Sequence, residues 1–420
     1  MKDLQKIARR ITRTLFFSQV NVSAGLIMIA TVSTIIGAEL SGKATWAGVP
    51  SAVLLLSAAV GSLFWGIFME RAGRRKGLIF GLALGAGGSI LAGSAVIAVS
   101  FLMFLAGLAL VGLAQAASQL GRYIAGDVHP VAERGKAIAN VVVGGAVGAI
   151  LGPLLVAPTG QFALSAGLNE LTGPFGAALA LFSLAVLINF IWLRPEPATI
   201  ASEIAKKSVS AEGDTSTARS ISGILRQPAV VVAVIAMVFS QLVMVMLMVI
   251  TSLYMKGHGN SLGEISLVIA AHTFGMFAFS IFSGRLADRI GRLAVIMIGS
   301  ITLVGACLAS MLPPSIPALA AALFFLGLGW NFCYVGGSTL LADQLSLSEQ
   351  PRMQGTSDLL VGLASGIGSL VSGFIFASSG YRPMGVLGTI FALVPFLLTL
   401  WWWRKWKRAD SGNVAESYHT

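Results

Sequence analysis

The sequence predicts an all-α membrane protein, with twelve transmembrane helices in two pseudo-symmetric six-helix bundles. Three observations lead there: an apolar composition, twelve spans of membrane-crossing length, and a second half that repeats the first. The 420 residues are 56% hydrophobic and only 11% charged, with a mean hydropathy of +0.85. A soluble domain carries about 25% charged residues, so water is not the main solvent of this chain. Its 49 glycines suit membrane helices, where small residues let backbones approach.

A helix needs about 20 apolar residues to cross the hydrocarbon core, and must satisfy its own backbone while doing so. Such spans are expected near 15–38, 46–69, 77–99, 101–125, 136–157, 173–193, 228–254, 264–284, 289–311, 316–341, 355–378 and 384–403. The first is read as a retained helix, since its apolar stretch is long and no small-residue cleavage site follows. The organisation that results is a first bundle over 1–193, a linker over 194–227, a second bundle over 228–403 and a tail over 404–420. The linker, "RPEPATIASEIAKKSVSAEGDTSTARSISGILRQP" (Arg194 to Pro228), is polar and charged and lacks the apolar content to build a core. The tail, "RKWKRADSGNVAESYHT", is expected to be interfacial at its start and irregular beyond.

Charge sets the orientation. With both termini cytoplasmic, all but Lys43, Lys256 and Arg382 of the 28 Lys and Arg residues fall on the inner side, as the positive-inside rule requires. The formal charge of +11 is then topology plus attraction to anionic lipid. Nucleic acid is excluded as a partner, because no basic face with aromatic stacking platforms is present. The two cysteines, Cys307 and Cys333, fall in predicted spans and imply no disulfide framework. No Walker A sequence, metal-ligand spacing or nucleophile elbow occurs, so neither an enzyme nor a cofactor is expected.

At an offset of 218 residues Gly284 falls on Gly66, Asp288 on Glu70, Arg289 on Arg71, Gly291 on Gly73 and Arg292 on Arg74. The same offset places Arg352 on Arg134, Gly362 on Gly144 and Gly366 on Gly148. One offset that serves two separate regions marks an internal repeat. "GIFMERAGRR" (Gly66 to Arg75) packs two glycines, a carboxylate and three arginines into the gap between spans 2 and 3. Its glycines permit a sharp turn and close helix approach. A plain positive anchor would need neither glycines at fixed offsets nor a carboxylate among bases.

This stretch resembles the loop signature of the major facilitator superfamily between helices 2 and 3, and "GRLADRIGRL" (Gly284 to Leu293) resembles its copy between helices 8 and 9. Glu70 replaces the usual Asp, and Leu293 the final base. Together with helix count, linker and repeat, the resemblance covers nearly the whole chain. It implies alternating access, two bundles rocking about a midplane site, with the acid–base clusters latching the cytoplasmic side. In that latch Glu70 would accept hydrogen bonds from its own loop and from amides near Thr356 and Ser357, where a helix N-terminus favours a carboxylate. "GDVHPVAERGKA" (Gly126 to Ala137) resembles the family's helix 4–5 loop and "ADQLSLSEQPRMQG" (Ala342 to Gly355) its counterpart, which adds Arg134 and Arg352 to the gate. Gly144, Gly148 and Gly152, followed by Pro153, line one face of helix 5 and read as close packing. Gly148 to Pro153 also resembles the helix 5 motif of drug–proton antiporters, although Val156 and Ala157 stand where that motif expects glycines.

The resemblance implies that helices 1, 4, 7 and 10 line the cavity. Polar residues within these spans, costly in hydrocarbon, are the candidates. They are Gln19 and Asn21 on helix 1, Gln115, Gln119 and Arg122 on helix 4, Gln241 and Met244 (with Met248) on helix 7, and Trp330, Asn331 and Tyr334 on helix 10. Gln115, Gln119 and Arg122 are spaced to share one helical face. Snorkelling accounts equally for Arg122, and interhelical hydrogen bonding for the helix 10 group. His272, mid-helix 8, and Asp358, early in helix 11, are the candidate proton carriers. Their alternatives are a helix–helix hydrogen bond for His272 and helix-start stabilisation, with pairing to Arg352, for Asp358. No carboxylate sits unmistakably at the midplane.

The expected function is secondary active transport of a small organic solute in the cytoplasmic membrane, by a monomer surrounded by lipid. Proton-coupled export leads; uptake by symport or uniport is the alternative. A non-transporting sensor or scaffold is the rival of another class, disfavoured because a static protein needs no two-state latch.

Overall fold

The computed structural model describes residues 2–208, 219–313, 315–346 and 349–416. Twelve helices are long and apolar enough to cross a membrane. They are α1 (Leu4–Ser41), α2 (Ala44–Ala72), α3 (Arg74–Ile97), α4 (Phe101–Asp127), α5 (Glu133–Ser165) and α6 (Glu170–Trp192) in the first half. The second half carries α7 (Pro228–Gly257), α8 (Leu262–Ile290), α9 (Arg292–Ala309), α10 (Ile316–Asp343), α11 (Arg352–Ser379) and α12 (Arg382–Arg404). Each coincides with a span expected from hydropathy, and no strand occurs among the described residues.

The chain forms two compact units. One comprises Met1–Thr215, Val249–Ala270 and Ser369–Ser378; the other comprises Ser216–Met248, Ala271–Gly368 and Ser379–Thr420. The first unit therefore holds α1 to α6 together with short stretches of α7, α8 and α11. At the start of α2, the end remote from the signature loop, Gly48 lies under α11. A Cβ on Gly48 would stand 1.9 Å from the Ser369 carbonyl oxygen, and the Ser369 hydroxyl donates to the Gly48 carbonyl at 2.8 Å. Only glycine permits this crossing.

Elsewhere in the first unit the helices pack through small residues and a few internal hydrogen bonds. The Trp65 indole donates to the Leu113 carbonyl at 2.8 Å, tying α2 to α4. Asn189 on α6 donates to Ser18 on α1 at 2.6 Å. Pro153 and Pro158 lie inside α5, which membrane helices tolerate because neighbours satisfy the freed backbone.

The linker departs from expectation. Its described ends are helical, Pro197–Ser208 and Ile221–Leu225. Ile200 is buried against Ile11, Met69 and Leu193, and Ile224 is buried among Val230, Leu341 and Met353. A few well-spaced isoleucines suffice to dock a polar segment, which average composition conceals. The middle of the linker, 209–218, lies outside the described residues. The last helix runs on to Glu416, so the tail is helical where irregular chain was expected, and 417–420 lie outside the described residues.

Candidate solute site and gate

The second unit assembles the densest group of expected cavity residues. Trp330 on α10 donates its indole N–H to the Gln241 side-chain oxygen on α7 at 2.7 Å. Gln241 in turn donates to the Ser365 hydroxyl on α11 at 2.8 Å, and Ser365 donates to the Val361 carbonyl at 2.9 Å. Tyr334, one turn along, stacks on Trp330 with ring centroids 4.9 Å apart. Phe277 meets Trp330 edge-on at 6.2 Å. Trp330 is nearly covered, whereas Tyr334 and Phe277 keep part of their surface exposed. The Trp330 indole and the Gln241 amide are thus paired within the group, and Tyr334 and Phe277 supply its partly exposed aromatic surface. Met244 is buried and Met248 half-buried on the same helix. Ser365 was not expected; its spacing of four and then three to Ser369 and Ser372 was the available signal.

Asn331 is differently employed. Its side-chain amide donates to the Met276 carbonyl at 2.6 Å and to the Ser280 hydroxyl at 2.9 Å, and its oxygen accepts from Ser283. At 2% exposure it faces α8 rather than open space. His272 is likewise completely buried, with its Nδ1 2.8 Å from the Leu323 carbonyl oxygen. Its ring bridges α8 and α10, the geometry of the helix–helix alternative. Asp358, by contrast, is exposed near the start of α11.

In the first unit Gln19 accepts from the Ser118 hydroxyl at 2.6 Å, joining α1 to α4, and reaches Ser23 at 3.4 Å. Asn21 donates back to the Phe17 carbonyl at 2.8 Å within its own helix. Gln115, Gln119 and Arg122 follow one another along α4, whose backbone stays right-handed helical through Leu120, at φ −67° and ψ −19°. Gln115 is half-buried and Gln119 exposed. Arg122 lays its guanidinium over the neighbouring Tyr123 ring, 4.8 Å from the centroid, and donates to the Tyr123 hydroxyl at 2.9 Å.

The two signature loops are built alike. Gly73 separates α2 from α3 at φ 98°, ψ 148°, and Gly291 separates α8 from α9 at φ 91°, ψ 151°. This backbone region is essentially closed to residues with a Cβ, which explains the glycine in each copy. The arginine that follows is held by a carboxylate from the next helical hairpin: Arg74 pairs with Asp127, and Arg292 with Asp343 at 2.9 Å. Asp288 adds a second contact to Arg292 at 3.0 Å. Neither Asp127 nor Asp343 was anticipated, although both stand in the quoted loops after α4 and α10.

Several gate residues differ from expectation. A Cβ on Gly66 or Gly284 would meet nothing within 4 Å among the described residues. Glu70, Arg71, Arg289 and Arg352 are exposed. The loop amides expected to serve Glu70 are held by Glu196 of the linker, which accepts from the Arg74 and Arg75 N–H groups at 2.7 and 3.2 Å. Arg75 lies over Phe190 and donates to its carbonyl at 2.7 Å, and Arg134 donates to the His129 carbonyl at 3.4 Å.

At its other end the linker is clamped again. Arg219 donates its backbone N–H and its guanidinium to Glu349 at 2.8 to 2.9 Å, and also to the Gln344 carbonyl at 2.8 Å. The Arg219 guanidinium and backbone N–H, with the Ser346 amide, hold the Glu349 carboxyl far below the usual carboxylate range. Glu349 is covered chiefly by these partners rather than by a deep core.

The helix 5 glycines have a packing cause. A Cβ would stand 2.6 Å from the Phe16 carbonyl oxygen at Gly144, 2.1 Å from that of Val20 at Gly148, and 2.6 Å from that of Ala24 at Gly152. The stripe lies directly on the backbone of α1, with Pro153 following it.

Comparison with known proteins agrees with this architecture. The family model described as Major Facilitator Superfamily matches residues 15–255 and 233–417. The chain is 35% identical to YdeG of Bacillus subtilis (strain 168), an uncharacterized MFS-type transporter, over 93% of this chain and 91% of that protein. It is 29% identical to the riboflavin transporter RfnT of Brucella anthropi, over 89% of this chain and 91% of that protein. Among solved structures, a bacterial homolog of the human lysosomal transporter Spinster, in an inward-facing and occupied conformation, aligns with a TM-score of 0.70. That alignment covers 95% of this chain and 97% of the other at 16% identity, a likeness of fold alone.

Proposed function

Because the chain belongs to the Major Facilitator Superfamily, a family of small-solute transporters and not of enzymes, we propose that it moves a flat, weakly charged heteroaromatic solute across the cytoplasmic membrane by alternating access. The observation that carries this reading is the Gln241–Trp330–Tyr334 group. The Trp330 indole and the Gln241 amide are already paired, which disfavours a sugar needing many hydrogen bonds. The group's exposed aromatic surface favours a ring system that stacks. The relative RfnT, whose name specifies riboflavin, is a heteroaromatic instance of that class and makes flavins the first solutes to try.

In this proposal both termini are cytoplasmic and export is exchanged for protons. Asp358 carries the proton, since it is an exposed carboxylate within α11, whereas His272 is wholly buried between helices. The incomplete helix 5 motif lends this mode no separate support, because the α1 backbone already accounts for its glycines.

The test is purified protein in proteoliposomes, with riboflavin and related flat heterocycles as solutes and a pH dye inside. Tyr334→Leu is expected to weaken affinity about two- to tenfold, the worth of one aromatic stack. Asp358→Asn is expected to abolish solute-driven proton movement, and His272→Gln to retain it. Unchanged affinity in Tyr334→Leu would remove the stacking site. Proton movement retained in Asp358→Asn, or solute flux with no proton movement in the unsubstituted protein, would replace antiport by uniport or another carrier.

A further inference from the structure

The repeat relates α2 and α4 to α8 and α10, yet the two pairs are built differently where the solute group lies. In the first half α2 is continuous from Val49 to Ala72. A Cβ on Gly61 would approach Leu113 and Ala116 at 3.0 Å, and one on Gly112 would stand 2.2 Å from the Leu54 carbonyl oxygen. Trp65 fills the space below and donates to the Leu113 carbonyl. The equivalent residues 218 positions later are Phe279 for Gly61, Trp330 for Gly112, Asn331 for Leu113 and Ser283 for Trp65. Two glycines have become large aromatics, and the buried tryptophan has become a serine.

The helix responds at that point. In α8 one helical segment, Leu262–Phe277, ends and another, Ser280–Ile290, begins, with Phe279 at φ −97°, ψ 2° between them. Neither position of the break, Ala278 or Phe279, is a proline or glycine, and Ser280 of α8 itself donates to the Phe277 carbonyl at 3.0 Å. A side chain inserted into the backbone ladder is a recognised cause of kinks, and Asn331 occupies that position, its amide on the Met276 carbonyl and on Ser280. Ser283, the residue replacing Trp65, donates back to the Asn331 oxygen. Phe279 turns among Phe274 and Phe324, at 6.0 and 5.9 Å, and Phe277 touches Trp330.

We propose that the break at Ala278–Phe279 is a hinge in α8, that Asn331 is its positioning residue, and that Phe277 transmits contact at Trp330 to the loop-bearing segment Ser280–Ile290. The last clause rests on the solute site proposed above; the hinge itself does not. Asn331 acts through α8, without touching solute. The segment it steers ends at Gly291 and Arg292, the second signature loop.

The experiment is a pair of spin labels on Leu267→Cys and Arg285→Cys, both exposed positions flanking the break. Cys307 and Cys333 are fully buried and stay unlabelled. A straight helix would separate the two positions by about 27 Å. Without solute, the double-labelled protein is expected to show two distance populations, and Asn331→Leu, the residue of the first half, to show one. Ser280→Ala, which removes the acceptor of the Asn331 amide and the hydroxyl's own donation to the Phe277 carbonyl while leaving Asn331 on Met276, is expected to shift the ratio of populations in the same direction. With riboflavin as probe, the populations are expected to redistribute. Asn331→Leu is expected to keep the flavin dissociation constant within about twofold while lowering turnover at least about tenfold, the pattern of a step beyond binding.

A single, unchanged distance in the double-labelled protein and in Ser280→Ala would overturn the hinge even where flavin binds normally. Weakened flavin binding with unchanged turnover in Asn331→Leu would return Asn331 to the solute site. Two populations in a protein that binds no flat heterocycle would uphold the hinge and refute the solute reading alone.

Discussion

The first signature loop and the second share one backbone and differ in what restrains it. Both turn on a glycine in the same unusual conformation, and both fix the next arginine with a carboxylate from the following hairpin. Among the described residues, only the first is also gripped by the linker, through Glu196 on the amides of Arg74 and Arg75. Only the second carries an aspartate within its own motif that reaches the arginine, Asp288 on Arg292. Both motif acids are exposed, but the loop whose glutamate makes no ion pair with its arginine among the described contacts has an acid supplied from the linker. Repetition thus conserves the turn, which sterics dictate, and leaves the electrostatic fastening free to be met by different residues.

The largest expected effect breaks what the two loops have in common. Gly73→Ala and Gly291→Ala each force a Cβ into a backbone region that costs roughly 1–3 kcal/mol. The first should be worse, because its Cβ would also lie 3.3 to 3.5 Å from the Glu196 carboxylate, whereas nothing lies near Gly291. Thermal unfolding in detergent should place both variants below the parent, with Gly73→Ala lower. The reverse order would mean that the linker contact matters less than the loop's own strain.

A smaller effect isolates the difference. Glu196→Gln removes a negative charge from the start of α3, where such a charge contributes about 0.3–1 kcal/mol. Amide hydrogen exchange should accelerate at Arg74 and Arg75 and stay unchanged at Arg292 and Leu293. Equal acceleration in both loops would show that they are restrained through one shared element rather than separately.

Most of this architecture is legible in the sequence, because apolar length and a fixed repeat offset depend on composition and spacing alone. The glycines of the loops were legible for the same reason: a backbone that excludes Cβ leaves only one residue type. Polar partnerships were not. Asn331 and Trp330 are neighbours with the same apparent promise as cavity residues, and only their orientation sends one to the α8 break and the other to Gln241. Glu196 and Arg219 lie in a stretch whose overall polarity reads as loose chain, and their targets are more than a hundred residues away. Helix phase gives the face of an element; it does not give the carbonyl left without a partner on the neighbouring one.

The smallest effect, expected to be none over the ordinary range, concerns the linker's far anchor. The folded-state pKa of Glu349 is lowered, first by its hydrogen bond with Arg219 and then by the Arg219 and Ser346 amides. Its contribution is therefore fully present above the unfolded value of about 4.3. It fades only as pH falls below that value, toward the lowered folded one. A fluorophore on the linker beside Arg219 should report an unchanged anchor from neutral pH down to about 5. Glu349→Gln should loosen the anchor equally at every pH in that window, because the titrating group is gone. Release centred on the normal carboxylate range would show that Arg219 does not hold Glu349 in the membrane-embedded protein. The linker would then be fastened at the Glu196 end only, and the two loops would differ still more sharply.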